Sequence, residues 1–391
     1  MSELNLSWLN GIPRVVNAAA PLTRLGGCST PPLVIEAMAQ AAVLSLDMEE
    51  LFTASGDEIA RLTGNEAAYV TSGAAAAIAL SVLGCITRGD PAAIAAMPRG
   101  RGLPTQVVVS RSHRIPYDRA IELVGGKIRE IGNVQQTHLW ELEAALTSKT
   151  GAVLWVAGRH LPPTLSLEDT VVMAHSHGVP VIVDAAAQLP PVSNLWNYTR
   201  ACGADLVAFS GGKAMRGPQA SGLLVGRRDL VAAARANGTP HQRLARALKV
   251  GKEEIVGLVA AVQRYVALDH DAQLAEWEAV VVDWGRRLEG LPGVATTRVL
   301  CGEAGQPTPR LLVRIDADAA GVSAQDVVDA LWNRNPRVAV TAAGHDAFYM
   351  APDTLMDGDA TLASDGVLAA LSKARPYGSG SSTSAGRSQA D

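Results

Sequence analysis

From about residue 64 the chain alternates short apolar runs with stretches whose apolar positions recur at helical spacing. The runs are Ala67–Thr71, Gln106–Ser110, Lys127–Ile131, Ala152–Ala157, Val179–Asp184, Asp205–Ser210 and Ala220–Gly226. Most are rich in Val, Ile or Leu and bounded by Gly, Pro or Asp, as buried strands are. Between them lie helix-compatible stretches at Ser72–Ile86, Tyr117–Val124, Thr137–Leu146 and Ser166–Ser176. Repeated strand–helix alternation predicts an α/β fold whose sheet is mainly parallel, with helices on both faces.

The flanks read differently. Residues 1–35 form an N-terminal arm, and Leu33–Thr63 is a helical segment. Lys252–Asp283 is a long helical pattern broken only by Gly257, suited to connecting two domains. Beyond it Arg310–Ile315 reads as a strand, and Ser323–Asn333 as a helix capped by Ser323. The expected organisation is an arm at 1–35, a large sheet domain at 36–255, and a connecting helix with a small C-terminal α+β domain at 256–376. The Gly/Ser-rich 377–391 reads as a flexible tail.

Composition narrows this picture. With 48% hydrophobic and 18% charged residues, the 391-residue chain can bury a large core and is not disordered. A formal charge of −4 argues against a globally basic nucleic-acid binder, so no nucleic-acid partner is expected. The longest apolar stretch, Ala74–Ile86, falls short of the roughly 18–20 residues that span a bilayer, so no membrane partner is expected. Cys28, Cys85, Cys202 and Cys301 lie far apart without a CxxC pair. That spacing reads as reduced thiols in a cytoplasmic protein, with neither a zinc site nor a disulfide frame.

The sharpest local signal is Ser210-Gly-Gly-Lys213, where two glycines and a lysine follow a strand end. Such a lysine is either a solvated side chain or a Schiff-base lysine held in an enclosed pocket. Val181-Ile-Val-Asp184 puts an acid at another strand end, which alone is often a helix N-cap. Together the two residues match what pyridoxal phosphate needs: a lysine for the imine and a carboxylate beside the pyridinium nitrogen. A third element is Thr71-Ser72-Gly73-Ala74, a strand, a tight turn and a helix start whose N–H groups suit a phosphate. The Ser72 and Ser210 hydroxyls are further donors. His113, following the Gln106–Ser110 strand, is either an ordinary loop residue or the ring stacked on the pyridine. The order along the chain (phosphate turn, His, Asp, Lys) is more specific than any one element.

These residues resemble fold-type I pyridoxal-phosphate enzymes of the selenocysteine-synthase-like, or L-seryl-tRNA selenium transferase-like, family. The resemblance is carried by Val70-Thr71-Ser72-Gly73-Ala74-Ala75, His113-Arg114, Asp184-Ala-Ala-Ala-Gln188-Leu-Pro-Pro191, Ser210-Gly-Gly-Lys213, Arg216-Gly-Pro-Gln219 and Arg246-Ala-Leu-Lys249, and covers roughly residues 14–265. It implies a large domain with a mainly parallel seven-stranded sheet, and pyridoxal 5'-phosphate as cofactor. Lys213 is then the Schiff-base lysine, Asp184 the pyridinium partner and His113 the stacking ring. Ser72, Gly73, Ala74 and Ser210 lie near the phosphate, and Gln188 is counted among the cofactor-binding residues. Arg246, Lys249 and Arg24 become candidate substrate-anion residues, and a homodimer or higher homo-oligomer is expected.

Two departures bear on the substrate. The Asn17-Ala18 segment leaves little room for the N-terminal tRNA domain of the tRNA-dependent enzyme, and Ala20-Pro21 stand where the family usually has a glycine. The resemblance therefore points to a non-tRNA branch, which includes an ammonia-lyase acting on a phosphorylated amino-sugar acid. The expected activity is α,β-elimination on a small amino acid or amino-sugar acid. Racemisation or epimerisation and transamination share its first proton transfer. A catalytically silent binding protein is the non-enzyme alternative. Racemisation needs a second acid/base, for which Tyr117 or a residue of a neighbouring subunit is the candidate.

Overall fold

The computed structural model describes residues 7–158 and 164–373; the tail expected at 377–391 lies outside them. The chain divides into two compact units. The larger comprises Pro21–Trp277 and Leu300–Pro309, the smaller Met1–Ala20, Glu278–Val299 and Arg310–Asp391.

Strand β1 (Val15–Asn17) belongs to the smaller unit, and the next seven strands build the sheet of the larger one. These are β2 (Ala67–Thr71), β3 (Gln106–Ser110), β4 (Lys127–Ile131), β5 (Thr150–Val156), β6 (Val181–Asp184), β7 (Leu206–Ser210) and β8 (Gly222–Gly226). Their spatial order is β2-β8-β7-β6-β5-β3-β4. Strands β4, β3, β5, β6 and β7 run parallel, and β8 runs antiparallel between β7 and β2. Thr71 and Ser210 both pair with Gly222, one on each side, and Asp184 pairs with Ala208. The carboxyl ends of β2, β6 and β7 thereby leave the sheet along one edge, where ligands bind in open α/β sheets.

Three helices precede or follow β2: α1 (Pro32–Ala42), α2 (Met48–Thr63) and α3 (Ala74–Thr87). The expected single segment from Leu33 to Thr63 is thus two helices. Asp47 ends the interruption, its carboxylate accepting the N–H groups of Glu49 and Glu50 at 2.8 and 3.0 Å. Helix α3 is apolar all round, and every residue from Ala76 to Thr87 is buried. It packs across the sheet and against the Arg228–Asn237 helix, which explains an apolar run too short to cross a bilayer. No helix among the described residues is long and apolar enough to cross a membrane.

The pattern expected to be one helix from Lys252 to Asp283 is also two, Lys252–Val266 and His270–Leu288. The break is not at Gly257, which is buried within the first helix. It falls just before His270, where the Asp269 carboxylate accepts the Ala272 N–H at 2.9 Å. The smaller unit has its own apolar cluster, including Trp284, Val313, Leu331 and Phe348. There β1 pairs in parallel with β11 (Arg337–Ala339). A four-stranded sheet has the order β12 (Thr341–Ala342), β13 (Ala347–Met350), β10 (Pro309–Ile315), β9 (Val294–Leu300). Ser323 caps the Ala324–Trp332 helix through a reciprocal capping box with Asp326, as its sequence predicts.

Candidate active site

Each site residue is placed by a strand end. Strand β6 ends at Asp184, which is 5% exposed, and its Oδ1 accepts the Ala186 N–H at 3.0 Å. That is the one hydrogen bond to this carboxylate among the described residues. Burial raises the Asp184 pKa above the ordinary carboxylate value; the Ala186 N–H and the Lys213 charge partly offset it. A buried carboxylate with one backbone donor needs a further cationic or N–H partner.

Strand β7 ends at Ser210, and a compact turn then presents Lys213. The Gly211 N–H donates to the Ser221 carbonyl at 2.9 Å, and the Gly217 N–H to the Gly211 carbonyl at 2.8 Å. The Arg216 N–H donates to the Lys213 carbonyl at 2.8 Å. Arg216 has φ 54°, a left-handed conformation uncommon outside glycine. The turn is therefore held by backbone bonds around the lysine and by one unfavourable dihedral.

Strand β2 ends at Thr71, and its turn opens α3. Gly73 has φ 139°, and a side chain there would meet nothing within 4 Å, leaving an open cradle at the helix start. The fit is tight on the sheet side: a Cβ on Gly222 would come 2.3 Å from the Gly73 backbone. The Ser72 hydroxyl donates to the Leu248 carbonyl at 3.0 Å, tying the Leu244–Leu248 segment to this turn.

A cavity of about 350 Å³ joins these parts, its wall containing Gly73, Ala74, Asp184, Ser210 and Lys213. A second cavity of about 200 Å³ shares Asp184 and Lys213 and adds Gln188, Ile115 and Glu303. Tyr117 lines both. The Gln188 amide donates from Nε2 to the Ala304 carbonyl at 3.0 Å, closing the second cavity on that side. Larger cavities occur elsewhere, but neither combines a lysine, a buried carboxylate and a helix-start turn.

The structure thus brings together Gly73, Ala74, Asp184, Ser210 and Lys213, with Gln188 in the adjoining space. Ser72 stands in the same turn with its hydroxyl turned to Leu248. His113 is buried and meets Trp155 edge-on at 6.2 Å between ring centres; it is not among the residues lining either cavity. Arg24, Arg246 and Lys249 are exposed and likewise outside both linings, although Thr23 beside Arg24 lines the larger cavity. Sequence reasoning missed Thr23, Gln219, Ile115 and Glu303 as wall residues. Gln219 follows the lysine turn in the quoted Arg216-Gly-Pro-Gln motif, a usable signal. Glu303 carries no motif and lies far along the chain.

The parts fit pyridoxal phosphate: an open helix-start turn for the phosphate, a lysine, and a buried carboxylate that among the described residues accepts one backbone hydrogen bond. Sheet order and site together define a fold-type I pyridoxal-phosphate enzyme. The model of the L-seryl-tRNA selenium transferase family matches residues 32–276, and the chain belongs to that family. It is 36% identical over 362 residues to a D-glucosaminate-6-phosphate ammonia lyase of Salmonella typhimurium, covering 90% of this chain and 94% of that protein. It is 37% identical over 329 residues to a 5'-C-glycyluridine monooxygenase-decarboxylase of a Streptomyces species, covering 82% of this chain and 80% of that one. Among solved structures, a D-glucosaminate-6-phosphate ammonia-lyase superposes with a TM-score of 0.83 at 34% identity. That match covers 95% of this chain and 99% of the other.

Proposed function

We propose that the chain eliminates the β-substituent from an amino-sugar acid or small amino acid, releasing ammonia and a 2-oxo acid. The observation that carries this reading is the convergence of Asp184, Lys213 and the Gly73–Ala74 turn on one cavity. The ammonia lyase that matches nearly the whole chain supports elimination over racemisation or transamination.

When bound, pyridoxal phosphate withdraws electrons from the substrate Cα and so acidifies its proton. The chain supplies the rest. Lys213 would hold the cofactor through its amine, and that amine, once free, would take the substrate's α-proton. The same amine then protonates the departing β-hydroxyl, so the lysine ends as it began. Water later replaces nitrogen at Cα, and the net change is a 2-amino-3-hydroxy acid becoming a 3-deoxy-2-oxo acid plus ammonia. Asp184 would partner the ring nitrogen, the contact that its burial calls for. The N–H groups of Gly73 and Ala74, the α3 dipole and the Ser210 hydroxyl would hold the phosphate, while Ser72, its hydroxyl donated to the Leu248 carbonyl, braces the turn. Gln188 would close the wall beside the ring, and His113 would be its stacking partner. Acid–base help of this kind contributes about 10²–10⁴-fold in rate.

A homo-oligomer is part of the proposal. In it the exposed Arg24, Arg246 and Lys249 are the residues available to hold a substrate carboxylate across subunits. Four cysteines outside any disulfide support a cytoplasmic setting. The domain organisation proposed is a cofactor-binding part at 36–255 preceded by an arm and followed by a small domain at 256–376.

Lys213→Ala tests the reading. The variant is expected to lose the visible absorbance of the lysine-bound cofactor and turnover together. Retention of both overturns the assignment. The Streptomyces relative makes oxygen the discriminating reagent. Elimination yields 2-oxo acid and ammonia at equal rates under nitrogen and air, whereas oxygen uptake with loss of carbon dioxide favours chemistry like that relative's.

A further inference from the structure

The larger cavity contains the phosphate turn, and the smaller one shares Lys213 and Asp184 with it, which leaves space beside the reacting groups for the far end of a substrate. Its wall holds three charged side chains, Asp184, Lys213 and Glu303. In the proposed function Lys213 is bonded to cofactor or occupied with protons at Cα, and Asp184 is paired with the ring nitrogen. Among the described residues of this wall, Glu303, itself exposed, is then the charge left to meet the substrate's distal end.

Glu303 stands on a held turn. The Ala304 N–H donates to the Gln306 Oε1 at 2.9 Å, and the Gly302 N–H to the Gln306 carbonyl at 2.7 Å. Gln306 is buried, and the Ala304 carbonyl accepts the Gln188 amide. The segment that ends β6 thereby anchors the loop that carries Glu303. The loop belongs to the larger unit, although the chain enters and leaves it from the smaller one.

We propose that Glu303 is a specificity-determining residue that selects substrates whose distal end is neutral and hydroxyl-bearing, or cationic, and disfavours a terminal phosphate. A carboxylate accepts hydrogen bonds from sugar hydroxyls and repels a dianion brought into the same small space. This inference rests on the proposed function for the placement of the substrate's reacting end, and adds its charge class.

The test uses the cofactor-loaded enzyme and two ligands that lack the reacting amine, gluconate and gluconate 6-phosphate, titrated by calorimetry. Wild type is expected to bind gluconate more tightly. Glu303→Gln should narrow the ratio of the two dissociation constants by roughly tenfold, the scale of one partly screened charge. Glu303→Lys should invert the preference, and higher salt should erode it. Glu303→Asp should retain it. Kinetics on D-glucosaminate and its 6-phosphate should show the same change in kcat/KM ratio, carried by KM. An unchanged ratio in Glu303→Gln, with cofactor absorbance intact, overturns the role of Glu303 and leaves the lyase reading standing. Failure of the lyase reading shows separately, as cofactor absorbance that survives Lys213→Ala.

Discussion

At the scale of single residues, Asp184 joins stability to cofactor binding. Burial raises its pKa, so the cofactor-free native state holds this proton more tightly than the unfolded chain does. Between the unfolded carboxylate value, about 3.9, and the raised native value, stability therefore falls as pH rises, and the loss persists above that window. Asp184→Asn has no such proton to lose. In urea unfolding of cofactor-free protein from pH 4 to 8, the variant is expected to stay flat where wild type declines. Added cofactor should then raise the melting temperature of wild type more than that of the variant. Parallel pH curves for the two proteins count against the buried carboxylate as the ring partner. Asp184 and Lys213 were legible in the sequence because Asp184 closes one apolar run and Lys213 follows the end of another across two glycines. Tyr117 could be read only as one option, and Glu303 not at all, since its role depends on a turn built by Gln306 and Gln188 rather than on its neighbours in sequence.

At the scale of elements, most of the seven runs of the large domain were readable because buried strands need apolar surface on both faces, while β4, at the sheet edge, carries Lys127, Arg129 and Glu130 and buries only Ile131. The direction of β8 was not, since an antiparallel strand has the same composition as a parallel one. Helix ends were harder still. Gly257 looks like a break yet stays helical, while Asp47 and Asp269 end interruptions that the apolar pattern runs through. What the elements do for the site is concentrated at Gly222, flanked by Thr71 and Ser210 and nearly touching the Gly73 backbone. Adding one methyl there pushes the phosphate turn off β8. Gly222→Ala is expected to cost about 1–3 kcal/mol by overpacking. It should also weaken cofactor binding more than tenfold, read by absorbance titration beside a thermal melt. Lower stability with unchanged cofactor affinity would show that the turn does not hold the phosphate.

At the scale of the whole molecule, the sequence suggested consecutive domains, and the contacts follow a different division. Strand β1, near the amino end, pairs with β11, and Leu300–Pro309 belongs with the larger unit. Both joins are long-range pairings with no local signature. The same scale carries the expectation of an oligomer. Leu33, Ile35, Val43, Leu44 and Leu46 are exposed large aliphatics within one short stretch around α1, with Val43 84% exposed. Concentrated apolar exposure of this kind marks an interaction surface. A second copy is the occupant proposed, in keeping with the homo-oligomer of the proposed function. Val43→Glu and Leu44→Glu place charge on side chains that contribute little to the core, so a single chain is expected to keep its fold. Sedimentation should show wild type at twice the chain mass or more and the double variant shifted toward the single chain. Kinetics should show KM for the amino acid rising more than kcat falls, the mark of a substrate anchor lost across the interface. A wild-type protein that sediments as one chain and turns over normally removes both the interface and the role given to Arg24, Arg246 and Lys249.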